Sequence, residues 1–317
     1  MPDGSTEVEF PKHFDGKRFY NPNAPQARGF RDLIRWKFTT RPEPSRRFVS
    51  DVEQSTPPRR IDGPELRTTL VNHSTVLIQQ KGLNILTDPI WSERTSPFSW
   101  IGPRRHRIPG VSWEDLPPIN TVLLSHNHYD HLDLPTVRRL AARDNSTYIV
   151  PIGVAKFLRS HNIGPVHELD WGESLARPGF TIHCVPALHF SGRGLFDRNA
   201  TLWCGYVIES QSRVIYFAGD TAFGTHFAQI RKKFGAPDLA LLPIGAYEPR
   251  WFMSPVHMGP DGAVKAHAIL GAKTSIATHH GTFQLADEGI DTPKHELAAC
   301  APDSFRILDN GRFADIA

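Results

Sequence analysis

Cysteine is scarce. The 317 residues hold three, Cys184, Cys204 and Cys300, an odd number with no pair at zinc-finger spacing. That argues against a disulfide framework and leads us to expect a reducing, cytoplasmic setting. No apolar run reaches the roughly 18 residues needed to cross a bilayer. The opening stretch, MPDGSTEVEFPKHFDGKRFY, lacks an apolar segment of signal-peptide length. A strong excess of one charge is missing too: 36 Lys+Arg against 33 Asp+Glu gives +3, too mild for a nucleic-acid partner. There is no Gly-rich phosphate loop and no convincing Ser or Cys nucleophile elbow, so a covalent protein nucleophile is not expected.

What is present is an ordinary globular composition, 39% hydrophobic and 22% charged, long enough for one large domain or two small ones. Histidine is plentiful, at 16. Charge is uneven along the chain. Residues 1–60 carry 12 Lys+Arg and 8 Asp+Glu, a balance of +4, which leaves −1 for the rest. That first stretch is rich in Pro, Arg and aromatics and reads as an N-terminal extension (1–60) packing on a catalytic domain (61–317). Within it, RGFRDLIRWKF spaces Phe30, Leu33, Ile34 and Trp36 as a helix would, with Arg28, Arg31, Arg35 and Lys37 between them. Two readings stand: a helix docked by its apolar side, or a lipid-facing element giving peripheral membrane contact at the inner face.

From residue 66 the pattern turns to β. LRTTLVNHSTVLIQQ and LNILTDPI read as paired strands around Lys81-Gly82, and TVLLSH as a short buried strand. Helices are expected in LPTVRRLAAR and VAKFLRSH, around 224–234 and 260–271, and in PKHELAAC. Strands are expected in TYIVPI, VHELDW, FTIHCVPAL, TLWCGYVIES, SRVIYFAGD, LALLPI, TSIATH and FRILDNG. Two β-rich stretches alternating with helices suit two packed sheets with helices outside, an α/β class.

The chemistry concentrates in SHNHYDHLD, residues 125–133. His126 and His128 stand just past a strand, and residues i and i+2 of extended chain point the same way. Asp130 and His131 follow where the chain turns. One loop therefore offers two pairs of ligands, suited to two metals a few Å apart. Imidazole and carboxylate donors suit zinc first, with iron or manganese also compatible. Asp88 in LTDPIW and His73 in VNHSTVLI are candidates for groups that support the ligands. GPRRHR reads as a solvated basic loop or a head-group contact, GLFDRN as unremarkable, and Cys184 and Cys204 as buried strand residues.

His126-x-His128-x-Asp130-His131 resembles the signature of the metallo-β-lactamase superfamily, whose αββα sandwich carries a dinuclear metal site. HSTVLI, LTDPIWSERTSPFSWIGPRR, FAGDT, LLPIGAYEPRWFM and THHGTFQLADE, with FDGKRFYNPN upstream, further resemble the N-acyl-phosphatidylethanolamine-hydrolysing phospholipases D. The family takes further ligands from later strand ends, where this sequence offers His189 (VPALHF), Asp220 (YFAGDT), and His279 or its neighbour His280 (ATHHGTF). The resemblance implies His126, His128 and His189 on one metal, Asp130, His131 and His279 on the other, and Asp220 bridging. His280 departs from the family pattern, which has an aromatic there. The resemblance also implies a part for His257 near the metals, so Asp130 and His257 are the candidate catalytic residues. Tyr247, Glu248, Arg250 and Trp251 would belong to the cavity wall.

The implied reaction is phospholipase D-type hydrolysis of a phosphodiester by a hydroxide shared between two metals, whose water pKa falls from about 15.7 toward about 7. The substrate would be N-acyl-phosphatidylethanolamine or a related lipid. The alternatives are a lactonase or a hydrolase of a soluble phosphodiester using the same site. A homodimer is compatible with the sequence. A nuclease or a flavin-linked relative would need added segments for which the length leaves no room, and a non-catalytic scaffold would be expected to have lost ligands.

Overall fold

A computed structural model describes residues 10–210 and 212–317; the first nine residues of the 1–60 extension lie outside the described residues. Ahead of the sheets comes helix α1 (Phe30–Thr39). The first half then runs β1 (Leu66–Asn72), β2 (Thr75–Gln80), β3 (Leu83–Thr87), β4 (Thr121–Leu123), α2 (Leu134–Arg143), β5 (Thr147–Pro151), α3 (Val154–Ser160) and β6 (Val166–Leu169). The second half opens with β7 (Ser174–Arg177), β8 (Phe180–Val185), β9 (Gly205–Ser210) and β10 (Val214–Phe217). It continues with α4 (His226–Phe234), β11 (Leu239–Pro243), the one-turn α5 (Arg250–Met253), α6 (Pro260–Leu270) and β12 (Thr274–Thr278). It closes with α7 (Thr292–Cys300), β13 (Phe305–Arg306) and β14 (Phe313–Ile316).

The strands form two seven-stranded mixed sheets, ordered β14-β1-β2-β3-β4-β5-β6 and β13-β12-β11-β10-β9-β8-β7. Alternation along each strand sorts side chains into layers. In β2, Val76 and Ile78 enter the core between the sheets, whereas Leu77 faces outward against Val137 and Leu140 of α2 and Leu158 of α3. In β11, Leu239 and Leu241 join the inter-sheet core, while Ala240 and Leu242 pack under Phe227, Ala263 and Leu270 of the helices on the other side. Each fully buried Leu, Ile or Phe contributes about 1.5–3 kcal/mol. The result is the four-layer αββα sandwich the sequence pattern implies.

The structure departs from the strand pattern in three places. Leu66–Gln80 is a hairpin rather than one strand, because the chain reverses at His73, whose φ is +48°. FRILDNG pairs through only Phe305 and Arg306. β7 and the terminal β14 lie outside the expected strands; β14 closes the first sheet by pairing antiparallel with β1, Leu66 opposite Ile316.

The described part of the N-terminal extension is laid along the sandwich. Phe19 is buried in the inter-sheet core, and His13 Nε2 donates to Asp170 at 2.6 Å. Asn21 donates to the backbone of His189 at 2.8 Å. Further on, the buried guanidinium of Arg107 joins distant segments. It donates to Asp51 (2.8 Å) in the extension, to Asp291 (2.8 Å) at the start of α7, and to the carbonyl of Gly281 (2.9 Å).

Arg107→Ala should therefore destabilise the fold by about 1–3 kcal/mol, the range for losing hydrogen bonds to charged groups whose carboxylates stay partly solvated. Urea unfolding checks it; a midpoint within error of wild type would contradict it.

Candidate active site

Four strands deliver their C-terminal ends to one edge of the sandwich. His126, His128, Asp130 and His131 follow β4, His189 follows β8, Asp220 follows β10 and His279 follows β12. Two close approaches make this convergence possible. Gly219 takes φ +60°, and a Cβ there would stand 2.6 Å from Ser125 Cβ. At Gly245 a Cβ would lie 2.1 Å from the carbonyl oxygen of His279. Only glycine fits either place.

The donors form two facing groups. On one side His126 Nε2 is 2.8 Å from His128 Nδ1, which is 3.2 Å from His189 Nε2. The outer nitrogens of two of these rings are occupied: His189 Nδ1 donates to Val256 O at 2.9 Å, and His126 Nδ1 meets Ser125 Oγ at 2.9 Å. Their inner nitrogens are thus lone pairs aimed at a common point. Ligand nitrogens about 2.0–2.1 Å from a tetrahedral cation stand ~3.3 Å apart, close to this spacing. Burial first, then the neighbouring imidazoles, hold His126 well below the ordinary imidazole range, His128 at about 3 and His189 at about 4. The three rings therefore stay neutral, the form that binds a metal.

On the other side carboxylates dominate. His131 Nε2 lies 3.1 Å from Asp130 Oδ2 and 3.1 Å from Asp220 Oδ2; His279 Nε2 is 3.4 and 3.1 Å from the same two oxygens. Burial works against protonating these rings, but the carboxylates win: they hold His131 well above its usual range and His279 at about 9. Asp220 spans the halves, with His189 Nε2 at 3.8 Å and His257 Nδ1 at 4.0 Å. This half favours positive charge, and the other offers neutral lone pairs. Several inward atoms, among them His131 Nε2, His279 Nε2 and Asp220 Oδ1, are buried without a hydrogen-bond partner. Such groups are costly unless something satisfies them. The donor set fits divalent metal, and these residues can hold metal ions.

A second ring of contacts fixes the donors. Asp88, fully buried, accepts from His131 Nδ1 (2.7 Å), Ser125 N (2.7 Å) and Ser125 Oγ (2.5 Å). His73 donates to Asp130 Oδ2 at 3.0 Å. His73, Asp88 and His279 all have positive φ, at +48°, +33° and +57°, as does Ala246 at +61°. Residues with a Cβ seldom adopt that region, and each costs about 1–3 kcal/mol. At Ala246 the compensation is visible. The buried carboxylate of Glu288 accepts from the backbone N–H of Ala246, Tyr247 (3.3 Å) and Glu248 (3.0 Å). These bonds offset part of the strain, while burial still pushes the Glu288 carboxyl above its usual range.

The cluster opens into a cavity of about 350 Å³. Its polar end is His128, Asp130, Asp220, His257 and His279; Arg28 and Arg198 also line it, and the other lining residues are apolar.

A model of the β-lactamase superfamily domain matches residues 83–280. The chain belongs to the metallo-β-lactamase superfamily. It is 42% identical over 231 residues to N-acyl-phosphatidylethanolamine-hydrolyzing phospholipase D 1 of Caenorhabditis elegans, covering 69% of this chain and 65% of that protein. It is 39% identical over 274 residues to an uncharacterised protein of Mycobacterium bovis, covering 85% of this chain and 73% of that one. Among solved structures, an isothiocyanate hydrolase from Delia radicum gut bacteria superposes with a TM-score of 0.64 at 21% identity, covering 78% of this chain and 98% of that one, which bears on the fold.

Within this superfamily member, His279 turns its ring into the cluster. His280 turns away, into a small pocket with Gly245, Gly289 and Ile290. Tyr247, Glu248, Arg250 and Trp251 require correction: none lines the cavity. Tyr247 is buried, Glu248 and Arg250 pair with each other at 3.3 Å, and Trp251 lies under Arg35. The same stretch reaches the cavity through Ala246, Phe252 and Met253. Arg198, from the stretch GLFDRN, does line it, and its Nη2 holds the entry to α1 through Ala27 O (3.1 Å) and Arg28 O (2.8 Å). The sequence carries no local signal for Arg198.

Removing His126 and Asp220 together (His126→Ala with Asp220→Ala) should abolish metal retention by the purified protein, read by elemental analysis. Asp88→Ala should weaken metal affinity about 10–100-fold, as loss of a ligand-orienting carboxylate does. Full metal content in the double variant would contradict the ligand set.

Proposed function

We propose that the chain is a metal-dependent phosphodiester hydrolase that cleaves N-acyl-phosphatidylethanolamine or a closely related lipid in the manner of a phospholipase D. The observation that carries this reading is the cavity: a donor cluster for divalent metal at one end and a largely apolar chamber, edged by Arg28 and Arg198, beyond it. An esterified phosphate beside an acyl group matches those two ends. The similarity to the phospholipase D of Caenorhabditis elegans supports the same substrate class.

In this reading His126, His128 and His189 hold one metal ion, Asp130, His131 and His279 the other, and Asp220 contributes to both, with zinc the first expectation. Bound there, the ions supply Lewis acidity toward the phosphoryl oxygens and lower the pKa of water. The protein supplies the rest. Asp88 and His73 keep His131 and Asp130 oriented. His257, buried beside Asp220 and on the cavity wall, is placed to contact the phosphate or pass a proton to the leaving alkoxide. The apolar walls exclude water from the acyl end. Hydrolysis breaks the phosphorus–oxygen bond to the N-acylethanolamine: the water oxygen joins phosphorus, and a proton goes to the departing alkoxide.

Access to lipid would run over the 1–60 extension, which we treat as distinct from the catalytic domain. Phe30 and Phe38 of α1 are 73% and 86% exposed, with Ile34 between them and Arg31 and Lys37 alongside. That suits peripheral contact with an anionic membrane. Among the described residues no helix is long and apolar enough to cross a membrane.

Metal-loaded protein given N-acyl-phosphatidylethanolamine in mixed micelles should yield phosphatidic acid and N-acylethanolamine by mass spectrometry. His257→Ala should lower kcat about 10²-fold with metal content unchanged. Intact lipid with metal bound would overturn the substrate reading and favour a soluble ester or phosphodiester.

A further inference from the structure

Two walls of the cavity lie outside the donor cluster, and one short turn holds both. The turn, residues 284–290, follows β12 and the site histidine. Asp287 Oδ2 accepts from Trp36 Nε1 at 2.7 Å and from Thr40 Oγ1 at 2.5 Å, both on or next to α1. The same turn is bonded again to the chain leaving α1: Glu43 N donates to Asp287 O at 2.7 Å, Gly289 N to Glu43 Oε2 at 2.8 Å, and Ile290 N to Ser45 Oγ at 2.9 Å. The neighbouring carboxylate, Glu288, takes the backbone N–H groups of Ala246, Tyr247 and Glu248 and so fixes the strained entry to α5. Neither carboxylate has a Lys or Arg partner among the described residues. Both are committed to holding backbone, indole and hydroxyl groups in place.

The groups they hold are cavity wall. Trp36 and Leu33 line it from α1, Ala246 and Met253 from the other side, and Leu285, in the turn itself, lies among the same lining residues. The two walls also touch: Trp36 packs on Phe252 with ring centroids 4.8 Å apart, and Arg28 Nε donates to Trp251 O at 3.2 Å. The hydrogen bonds of Asp287 and Glu288 involve no residue of the donor cluster. The turn thus controls the apolar end of the cavity and is separate from the polar end.

We infer that Asp287 and Glu288 are paired positioning residues that set the shape of the apolar chamber and thereby determine which acyl group the site accepts. The inference rests on the hydrolase reading above. Displacing a positioning wall by an ångström can cost about two orders of magnitude in a reaction. Here the loss falls on substrate recognition, because the wall meets the acyl group and not the reacting phosphorus.

The test uses full-length, metal-loaded protein and three variants: Asp287→Ala, Glu288→Gln and the milder Thr40→Val, with Asp287→Asn as the conservative control. Two substrates are compared, N-acyl-phosphatidylethanolamine in micelles and the small diester bis(p-nitrophenyl) phosphate. Asp287→Ala and Glu288→Gln should raise KM for the lipid about tenfold and leave kcat for the small diester within about twofold. Thr40→Val should follow in the same direction by a smaller factor. Asp287→Asn, which keeps an oxygen for the indole, should recover much of the loss. Binding of a long-chain N-acylethanolamine, followed by calorimetry, gives a readout independent of turnover, and its Kd should weaken about tenfold in step. Equal losses of kcat on both substrates, or unchanged KM and Kd, would overturn the inference. Wild-type protein that binds the N-acylethanolamine without cleaving the lipid would defeat the substrate reading alone, and the Kd series would then decide the inference. Wild-type protein that neither cleaves nor binds these compounds would remove both.

Discussion

Two carboxylates and seven imidazoles gathered at one edge of a sandwich, with inward-facing atoms that the protein does not satisfy, set the terms for this structure. Burying one unpartnered polar atom costs about 1–3 kcal/mol, so the cluster is a standing debt against folding unless a cation occupies it. The halves differ in kind. His126, His128 and His189 are kept neutral by burial, whereas the carboxylates around His131 and His279 draw positive charge to that side. An arrangement that neutralises lone-pair donors on one flank and concentrates negative charge on the other is matched by divalent metal.

Keeping the cluster in place demands more of the scaffold. The ligands come from the ends of β4, β8, β10 and β12, in two different sheets, so they meet only if the sheets keep their register. Backbone in the left-handed region at His73, Asp88 and His279 lies where the strand ends meet. Those strained residues are held by named partners: Asp88 through Ser125 and His131, and His73 through Thr282. Strain at the site is thus stabilised from loops well away in sequence.

The first donors of the cluster were legible in the sequence because they obey local rules. His126 and His128 share a face by two-residue spacing, whereas His189, Asp220 and His279 are singled out by the family resemblance, and the fold brings them all together. Two packed sheets with helices outside followed from the succession of strand-like and helix-like segments, and the αββα arrangement from the family resemblance. What was illegible depends on contacts across long sequence separations. Trp36 meets Asp287 across 251 positions, and no local pattern in LADEG announces that pairing. Arg198 reaches the cavity from a loop without a motif. The family resemblance puts Tyr247, Glu248, Arg250 and Trp251 on the wall, but α5 is a single helical turn. Each step along it rotates about 100°, so Phe252 and Met253 face the chamber while Arg250 and Trp251 face away. The hairpin at His73 escaped notice because nothing in NHST marks a left-handed histidine.

The most direct measurement is anomalous diffraction at the metal absorption edge from a crystal of the protein purified without chelator. The account predicts two peaks a few Å apart, one enclosed by His126, His128 and His189, the other by Asp130, His131 and His279, with Asp220 between them. A single peak, a peak outside this cluster, or a site filled only by water would contradict it.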